Sequence, residues 1–410
     1  MTDAQARDKL QAAGQEHLLA WYDTLSEHEQ YDLLEQIDAL DLDLLDVFRN
    51  YKQNGEPDRG KLAPMGALTI PEIEQNHTKF ETAGLDAIRQ GKVGAVLLAG
   101  GMGTRLGFDK PKGMYNIGLS KPLYIFECLI QNLMKVVDQA GAFVPLFIMT
   151  SEKNDEDTKE FFESMKYFGY NPEYIHFFTQ DTAPAVDADG KILLESKSRI
   201  ATSPNGNGGW FASLVKAGLL NFLQREEIEW LNVFAVDNVL QKIADPCFIG
   251  ATILSGCESG SKVVRKAAPE ERVGVLCLED GKPSIVEYYE MTPEMTTSRE
   301  PDGSLSYNYG VILNYLFQTK KLTELLHNQL PVHIVHKAVP YIDRNGEKIC
   351  PEYPNAYKFE SLVLDLIHLQ DSCLSYEVER FREFAPVKNA EGVDSVISAQ
   401  ELLQRNGVTL

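Results

Sequence analysis

Residues 92–114 read KVGAVLLAGGMGTRLGFDKPKGM, and this stretch decides the fold. An apolar run over 93–99 stops abruptly at a set of glycines, which are Gly100, Gly101 and Gly103. A short apolar run closed by glycines is typical of a buried strand that leads into a loop whose backbone closely approaches a ligand. The amides of such a loop can point at a phosphate, while Arg105 and Lys112 supply positive charge nearby. The stretch therefore predicts a nucleotide-phosphate site.

Strand-like apolar runs alternate with helical patterns from residue 93 onward. The predicted strands cover 93–99, 144–150, 174–178, 232–236, 262–265, 274–278 and 284–289, and the predicted helices cover 123–139, 155–167 and 209–222. Such alternation predicts an α/β domain with a mostly parallel sheet, whose ligands bind at the carboxyl ends of the strands. The glycine-rich turn after residue 99 lies at that edge.

The two ends of the chain have different patterns. Ser26 and Glu29 form a capping-box pair, and apolar residues then recur at helical spacing, so residues 1–60 predict an N-terminal helical subdomain with a turn over 54–58. Residues 61–330 form the main α/β domain in this interpretation. Residues 331–410 predict a smaller α+β subdomain with strands at 332–337, 339–342 and 373–378 and a helix at 357–368.

Composition restricts the class of protein. The chain has 410 residues, of which 44% are hydrophobic and 24% charged, as in ordinary globular proteins. Its net charge of −21 argues against a nucleic-acid binder, because phosphate backbones need a basic footprint. Because no run of 18 apolar residues and no secretory h-region are visible, we expect no membrane span and a cytoplasmic location. The six cysteines show no CxxC spacing, which argues against a zinc or redox motif.

The spacing of the glycines separates the loop from two common nucleotide motifs. Gly101, Gly103 and Gly107 are spaced G-x-G-x-x-x-G, one residue longer than the dinucleotide fingerprint, and no acidic residue follows at the distance that NAD binding requires. A Walker A loop is excluded, because no Gly-Lys-Ser/Thr follows. What remains is G-G-x-G-T-R-x(6)-K, which brings Arg105 and Lys112 to a phosphate loop. A dehydrogenase is therefore a distant alternative.

The motif LLAGGMGTRLGFDKPKGMYNIGL resembles the signature of the UDP-sugar pyrophosphorylases, specifically the eukaryotic-type UDP-N-acetylglucosamine pyrophosphorylases. Further matching motifs follow in the family's order: MTSEKNDEDTKEFFESMKYFGY, HFFTQDTAPAVDADGKILLESKSRIATSPNGNGG, FAVDNVLQKIADPCFIG, VVRKAAPEERVGVLC, VEYYEM, KAVPYID and EFAPVKNAEG. The resemblance covers roughly residues 60–395. It implies a Rossmann-like nucleotidyltransferase domain with a mixed, mostly parallel sheet, flanked by smaller N- and C-terminal parts.

The resemblance also implies a reaction and its partners. A sugar 1-phosphate attacks the α-phosphorus of UTP, which gives UDP-sugar and pyrophosphate, with Mg²⁺ as cofactor. The chain ends soon after the APVKN motif, whereas longer members of the family continue into a further β-rich domain, so we expect a monomer. His176, His333 and His336 are interpreted as structural, because this chemistry requires no general base of their pKa.

Nucleotide binding is assigned by the resemblance to Leu98, Ala99, Gly100, Gly101, Gly103, Thr104, Gln180 and Gly206. Leu98 and Ala99 would line the ribose and uracil side. Gln180 matches a glutamine that reads uracil, because an amide can pair with both a donor and an acceptor on the base. Gly206 would lie close beneath the uracil. Arg105 and Lys112 would neutralise the triphosphate and the transition state, and Lys388 would approach the phosphates from the C-terminal part, so these three are the candidate catalytic residues.

Asp237 is the candidate Mg²⁺ ligand, because it ends the predicted strand 232–236 within the motif FAVDN. Taken alone, an Asp at a strand end is more often a cap or turn residue. Sugar binding is assigned to Asn207, Gly274, Glu287, Asn308, Val311, Leu362 and Leu364. In this assignment Glu287 accepts hydrogen bonds from sugar hydroxyls, and Asn207 reaches toward the sugar.

The match weakens on the sugar side. Val311 stands where the N-acetylglucosamine enzymes usually have asparagine, and Leu362 and Leu364 stand where they usually carry phenylalanines near the N-acetyl group. N-acetylglucosamine 1-phosphate is the preferred substrate hypothesis, while glucose 1-phosphate, N-acetylgalactosamine 1-phosphate and a broad specificity stay open. A remote alternative is a non-catalytic nucleotide-sugar sensor, although such a protein need not retain charges that act only in a transition state.

Overall fold

The α-helices are distributed along most of the chain. The computed structural model describes residues 1–55, 59–328 and 330–410, without the side chain of His327. Its α-helices are α1 (Asp3–Ala13), α2 (Glu27–Ala39), α3 (Asp43–Asn54), α4 (Ile70–Gln75), α5 (His77–Arg89), α6 (Ile125–Ala140), α7 (Asp155–Ser164), α8 (Trp210–Lys216), α9 (Leu220–Arg225), α10 (Pro246–Ser255), α11 (Pro293–Thr297), α12 (Thr319–Glu324), α13 (Asp365–His368), α14 (Arg380–Glu383) and α15 (Val396–Arg405). Short 3-10 turns lie at Glu16–Leu19, Tyr22–Thr24, Thr104–Leu106, Lys112–Met114, Lys166–Gly169, Pro172–Tyr174 and Leu325–His327.

The strands are β1 (Leu62–Pro64), β2 (Val93–Leu98), β3 (Leu146–Thr150), β4 (Ile175–Thr179), β5 (Thr182–Pro184), β6 (Leu194–Ser196), β7 (Arg199–Ile200), β8 (Thr202–Pro204), β9 (Trp230–Ala235), β10 (Ser259–Arg265), β11 (Val275–Glu279), β12 (Lys282–Val286), β13 (Tyr309–Gln318), β14 (His333–Lys337), β15 (Tyr341–Ile342), β16 (Lys348–Ile349), β17 (Ala356–Glu360) and β18 (Cys373–Glu377). The contact pattern divides the chain into two units. Unit 1 comprises Met1–Asp58, Asp181–Gly209 and Leu330–Val363, and unit 2 comprises Arg59–Gln180, Trp210–Gln329 and Leu364–Leu410.

Unit 2 is built on a ten-stranded mixed sheet whose central order is β1-β11-β13-β9-β2-β3-β4. The strands β9, β2, β3 and β4 are parallel, so their carboxyl ends meet at one edge. β2 is buried along its whole length, which is the reason that its sequence is a continuous apolar run rather than an alternating one. The antiparallel strand β13 continues the sheet beyond β9, and β18 joins parallel to β10.

Unit 1 packs the N-terminal helices around its own small hydrophobic core. The capping box of α2 is formed as predicted: the Ser26 hydroxyl accepts from the Glu29 N–H, and the Glu29 carboxylate accepts from the Ser26 N–H. Leu33, Ile37 and Phe48 are buried in this core. The core also takes side chains from the two-stranded sheets of the same unit, which are β5-β8, β6-β7, β14-β17 and β15-β16.

The predicted α/β class is confirmed, but the C-terminal part differs from the sequence interpretation. The helix expected over 357–368 is wrong: residues 356–360 form β17, which pairs antiparallel with β14, and only Asp365–His368 is helical. The predicted segments 1–60, 61–330 and 331–410 do not coincide with the two units, because β14 and β17 pair within unit 1 whereas β18 joins the large sheet. Of the predicted turn 54–58, residues 56–58 lie outside the described residues.

Helical spans that could cross a membrane do not occur in the described ranges, since none of their helices is both long and apolar enough.

Candidate active site

The glycine loop, residues 100–112, leaves the carboxyl end of β2 and folds back on itself. The N–H of Gly103 donates to the carbonyl of Lys110 at 2.9 Å, and the N–H of Lys112 donates to the carbonyl of Gly101 at 3.1 Å. A Cβ at position 103 would lie 2.8 Å from the carbonyl oxygen of Phe108, so this tight closure requires glycine there. Nothing lies within 4 Å of the corresponding point at Gly101. The space beside the Cα of Gly101 is therefore open to a ligand, while its carbonyl is engaged within the loop.

Asn154, which was not predicted from the sequence, holds the start of the glycine loop. Its side chain is fully buried, and its Nδ2 donates to the carbonyl oxygens of Ala99 at 3.0 Å and Gly101 at 3.4 Å. Its Oδ1 accepts from the N–H of Ser151 at 2.7 Å. A single amide therefore joins the end of β2 to the turn that follows β3. Asn154 lies within one of the motifs that match the family, TSEKND, but nothing in the local sequence indicated a partner 55 residues away.

Lys112 lies within electrostatic range of one carboxylate and of two other cations. Lys112 is half-buried, and this burial lowers its pKa below the ordinary value. The carboxylate of Asp237 acts in the opposite direction, while Arg105 and Lys388 lower the pKa of Lys112 further. Each of these groups lies within electrostatic range of Lys112. The structure thus brings together the three predicted catalytic residues and the predicted metal ligand, although their roles stay predictions.

Lys388 reaches this cluster through backbone hydrogen bonds rather than through sequence proximity. The N–H of Val387 donates to the carbonyl oxygen of Asp237 at 2.9 Å, which places the neighbouring Lys388 beside the end of β9. The side chain of Lys388 is 43% exposed, and its Nζ lies 3.4 Å from the Asp394 carboxylate. Its ammonium group therefore has access to solvent and to a ligand from solvent.

Gln180 follows β4 at the edge where the glycine loop begins. Its side chain is 7% exposed, and a Cβ at position 100 would lie 2.8 Å from its Oε1. Gly100 therefore allows the amide of Gln180 to lie against the loop backbone. The two positions, 80 residues apart in the sequence, are neighbours in space, as a shared nucleotide site requires.

Leu98 and Ala99, predicted to line the ribose and uracil side, have buried side chains, 6% and 2% exposed. The N–H of Ala99 donates to the carbonyl oxygen of Met149 at 2.8 Å, and the carbonyl of Ala99 accepts from Nδ2 of Asn154. Both backbone groups of Ala99 are thus already engaged in fixing the strand end. Thr104, in contrast, is exposed at the start of the 3-10 turn that carries Arg105.

Three of the predicted sugar-side residues of unit 2 meet at one strand junction. The N–H of Val311 donates to the carbonyl of Gly274 at 2.8 Å, and a Cβ at position 274 would lie 3.1 Å from Oε1 of Glu287. Gly274, Glu287 and Val311 therefore form one surface. The carbonyl of Asn308, on the same chain segment as Val311, accepts from the N–H of Lys266 at 2.9 Å. Leu364 is half-buried and directly precedes α13.

The predicted ligand residues of unit 1 have a structural explanation in their own unit. Gly206 has φ +85°, and a Cβ there would lie 2.1 Å from the carbonyl oxygen of Ser361, so the close backbone approach that requires glycine is to Ser361. Oδ1 of Asn207 accepts from the N–H of Val363 at 2.9 Å. Asn207 therefore fixes the segment that carries the half-buried Leu362. Both contacts were unforeseen from the sequence.

A magnesium ion would be held here by very few protein groups. Within residues 1–55, 59–328 and 330–410, no three His, Cys, Asp or Glu side chains are grouped so that they could hold a metal ion by themselves. Magnesium bound to a nucleotide characteristically uses one or two carboxylates and takes its other ligands from phosphates and water. The half-buried Asp237 at a strand end fits this donor set as a single carboxylate, and it lies within electrostatic range of Lys112.

His176, interpreted as structural, packs between aromatic rings. Its ring lies 5.3 Å from that of Phe147 and 4.3 Å from that of Phe222, measured between centroids, and burial lowers its pKa. The neutral form is therefore favoured, as expected of a core histidine.

Comparison with known proteins gives concordant results along most of the chain. The family model described as UTP–glucose-1-phosphate uridylyltransferase matches residues 54–408. A Homo sapiens protein called UDP-N-acetylhexosamine pyrophosphorylase-like protein 1 is 36% identical over 96% of this chain and 82% of its own length. The UDP-N-acetylglucosamine pyrophosphorylase of Saccharomyces cerevisiae is 33% identical over 93% of this chain and 84% of its own length.

A solved structure agrees with the fold described above. The uridine diphosphate N-acetylglucosamine pyrophosphorylase of Trypanosoma brucei, determined in complex with an inhibitor, has a TM-score of 0.85 to this chain at 29% sequence identity. The alignment covers 98% of this chain and 84% of that one. The similarity therefore includes both units.

Proposed function

The chain belongs to the UTP–glucose-1-phosphate uridylyltransferase family, and we propose that it joins UTP and N-acetylglucosamine 1-phosphate to give UDP-N-acetylglucosamine and pyrophosphate. The observation that carries the proposal is that Arg105, Lys388 and Asp237 all lie within electrostatic range of Lys112, which ends the glycine loop. Three cations beside one carboxylate form a site for polyanions in a chain whose net charge is −21. Such a site suits a triphosphate and a sugar phosphate.

The reaction requires positioning and charge neutralisation more than side-chain chemistry. An oxygen of the sugar phosphate attacks the α-phosphorus of UTP, and a new phosphorus–oxygen bond forms. The bond from the α-phosphorus to the oxygen that bridges it to the β-phosphorus breaks, and its electron pair leaves with pyrophosphate. Both the nucleophile and the leaving group are already anionic, so no general base has to remove a proton.

The residues at the sheet edge can be assigned separate tasks in this proposal. The open space beside Gly101 accommodates the triphosphate, and Arg105 and Lys112 neutralise the charge that accumulates in the transition state. Lys388 approaches the phosphates from the C-terminal side of the same edge. Gln180 pairs with the uracil, where its amide offers both a donor and an acceptor.

Magnesium is proposed to bind Asp237 together with phosphate oxygens. When bound there, the metal would offset the charge of the leaving pyrophosphate. Lys112 would share that task, because its ammonium group is within electrostatic range of the Asp237 carboxylate. Asp237 in turn favours the charged form of Lys112, which is the form that can neutralise a phosphate.

The choice of sugar rests on the relatives. The S. cerevisiae and T. brucei proteins are both named for N-acetylglucosamine, and they align with nearly all of this chain. Glucose 1-phosphate remains the second candidate, because the matching family model is named for it and because Val311, Leu362 and Leu364 differ from the residues usual in the N-acetylglucosamine enzymes. A carboxylate such as Glu287 would accept from ring hydroxyls that both sugars carry.

A panel of sugar 1-phosphates tests the substrate. Pyrophosphate release from UTP is measured with the 1-phosphates of N-acetylglucosamine, N-acetylgalactosamine and glucose at equal concentrations. We expect the highest kcat/KM with the N-acetylglucosamine compound. A higher value with glucose 1-phosphate would replace the proposed substrate, and tight binding of UTP without any release would favour the sensor alternative.

A further inference from the structure

Asn238 directly follows the proposed metal ligand, and its side chain is 1% exposed. Its Nδ2 donates to the carbonyl oxygen of Glu383 at 2.7 Å. Its Oδ1 accepts from the N–H of Ala385 at 2.9 Å and from that of Leu240 at 3.4 Å. One buried amide therefore satisfies a backbone acceptor and a backbone donor of a chain segment 145 to 147 residues away.

That segment, residues 383–388, is called the strap here because it lies along the end of β9 and finishes at Lys388. It pairs with residues 237–239 through an antiparallel bridge between Asn238 and Pro386. The N–H of Val239 donates to the carbonyl oxygen of Ala385 at 3.3 Å, and the N–H of Val387 donates to the backbone carbonyl oxygen of Asp237 at 2.9 Å. These two bonds flank the Asn238–Pro386 pair, where no N–H from position 386 is required, and the side chain of Asn238 adds two further hydrogen bonds to the strap.

The strap is also anchored at its first residue. The Glu383 carboxylate lies 2.6 Å from Nζ of Lys262, whose side chain is fully buried and also lies 2.8 Å from Asp245. Toward the other end, by contrast, the Lys388 side chain is 43% exposed and its Nζ contacts only the Asp394 carboxylate among the ion pairs of the described residues. The position of Lys388 therefore depends in part on the backbone of the strap, whose first three residues are bound by the side chain of Asn238.

We infer that Asn238 is a positioning residue, which holds Lys388 beside the end of β9 so that it acts on the phosphates together with Arg105 and Lys112. This inference rests on the proposed function, because it assigns to Asn238 an effect that is exerted through Lys388. A misplacement of about 1 Å at a reacting centre can cost about a hundredfold in rate. Loss of the Asn238 amide would let the strap move by such an amount, although the Asn238 side chain is itself buried and bonded to backbone groups.

The test is a double-mutant cycle on pyrophosphate release, with kcat and KM measured for N238A, K388A and the double variant. In the wild-type background we expect N238A to lower kcat by about tenfold to a hundredfold. In the K388A background the same substitution should lower kcat by less than about threefold, because its effect passes through a side chain that is no longer there. Equal reductions in the two backgrounds would overturn the inference.

Asn232 provides a matched control for loss of a buried amide. Its side chain is also 1% exposed, and its Nδ2 donates at 2.8 Å to Asn314 and Tyr315 while its Oδ1 accepts from Ala244 at 2.8 Å. N232A should lower Tm about as much as N238A does but leave kcat within about twofold of the wild type. A loss of kcat in N232A equal to that in N238A would show a general effect of instability and would contradict a positioning role.

The outcomes separate this inference from the proposed function. If the wild type releases no pyrophosphate, the proposed function fails. If the wild type is active and K388A is impaired but the cycle is additive, only the role of Asn238 fails. If K388A retains wild-type kcat, the role of Lys388 and the inference fall together. N238S, whose shorter hydroxyl cannot span Glu383 and Ala385, serves the same cycle if N238A proves too unstable to purify.

Discussion

The side-chain amide of Asn154 donates to the carbonyl oxygen of Ala99 at 3.0 Å and thereby fixes the point at which β2 becomes the glycine loop. An aspartate at this position would keep the acceptor for Ser151 but would place a second acceptor against that carbonyl. We expect N154D to bind UTP about tenfold more weakly, since a buried hydrogen bond is replaced by repulsion. Isothermal titration calorimetry with UTP measures this.

Asn355 offers a control with the same bonding pattern. Its Oδ1 accepts from the N–H of Val339 at 2.7 Å and its Nδ2 donates to the carbonyl of Val339 at 3.1 Å, within unit 1. N355D should change UTP affinity by less than about twofold. If N154D binds UTP as the wild type does, the amide is not needed to shape the loop.

Arg105 and Lys112 should matter for turnover far more than a neighbouring lysine of the same loop. We expect R105A and K112A each to lower kcat by about a hundredfold or more, the scale of losing a transition-state charge contact. Lys110 is the control, because it is exposed and its Nζ is paired with Asp157 at 2.8 Å. K110A should retain most of the activity in a steady-state pyrophosphate assay. Near-normal turnover of either of the first two variants would remove that residue from the proposed mechanism.

Lys112 should also reduce the stability of the free protein. Its pKa is lowered from the ordinary 10.5, because burial and two nearby cations disfavour the charged form. The native state therefore binds fewer protons than the unfolded state as pH falls through this range, so the destabilisation is fully present below the folded pKa and is relieved as pH rises toward 10.5.

K112M keeps the apolar stem without the charge, and we expect it to raise Tm by about 1–3 °C at pH 7. The gain should shrink as pH rises toward the ordinary lysine range. Differential scanning calorimetry of both proteins across that range measures it. A variant that is less stable than the wild type at neutral pH would contradict the electrostatic account.

Arg59 should stabilise unit 2 in a way that acid removes. Its guanidinium lies 2.7 Å from the Glu279 carboxylate. Burial opposes ionisation of Glu279, but hydrogen bonds from Arg59, Ser284 and Gly60 outweigh it and lower its pKa to about 2. Because the folded pKa lies below the ordinary 4.5, this contribution is present above pH 4.5 and is lost as pH falls toward 2.

R59L should therefore lower Tm at pH 7 by about 2–4 °C, and the difference from the wild type should decrease through this acid window. Thermal unfolding followed by circular dichroism measures both. Arg49, whose pair with Asp46 is exposed on both sides, is the control, since exposed pairs contribute little. A difference for R59L that stays constant from neutral pH into the acid window would assign the effect to packing rather than to ionisation.

Local patterns predicted the large sheet well. The run at 93–99 is the buried β2, and the apolar run at 232–236 corresponds to β9, because strands covered on both faces need continuous apolar sequence. The helix predicted over 357–368 is wrong, because distant pairing rather than local sequence determines this segment. Its apolar spacing fits a helix, but pairing of residues 356–360 with β14 determines its conformation, and such long-range pairing leaves no mark in a local window.

The site shows the same division between local and distant information. The glycine spacing and the residue types of Arg105 and Lys112 are visible in one short stretch. The roles of Lys388 and Asp237 came from resemblance, and only the fold shows that a backbone hydrogen bond joins their segments. Asn154 and Asn238 were missed, because a buried asparagine is distinguished from an exposed one only by partners that lie far away in the sequence.

Uridylyl transfer is tested most directly with UTP that carries ³²P at the α-phosphorus, by measuring which product contains the label. With N-acetylglucosamine 1-phosphate and Mg²⁺, the account predicts that the label appears in UDP-N-acetylglucosamine and that unlabelled pyrophosphate is released in equal amount. Attack at the β-phosphorus would instead leave the label in UMP, and label that stays entirely in UTP would mean that no transfer occurs. Either of these results would contradict uridylyl transfer by this protein.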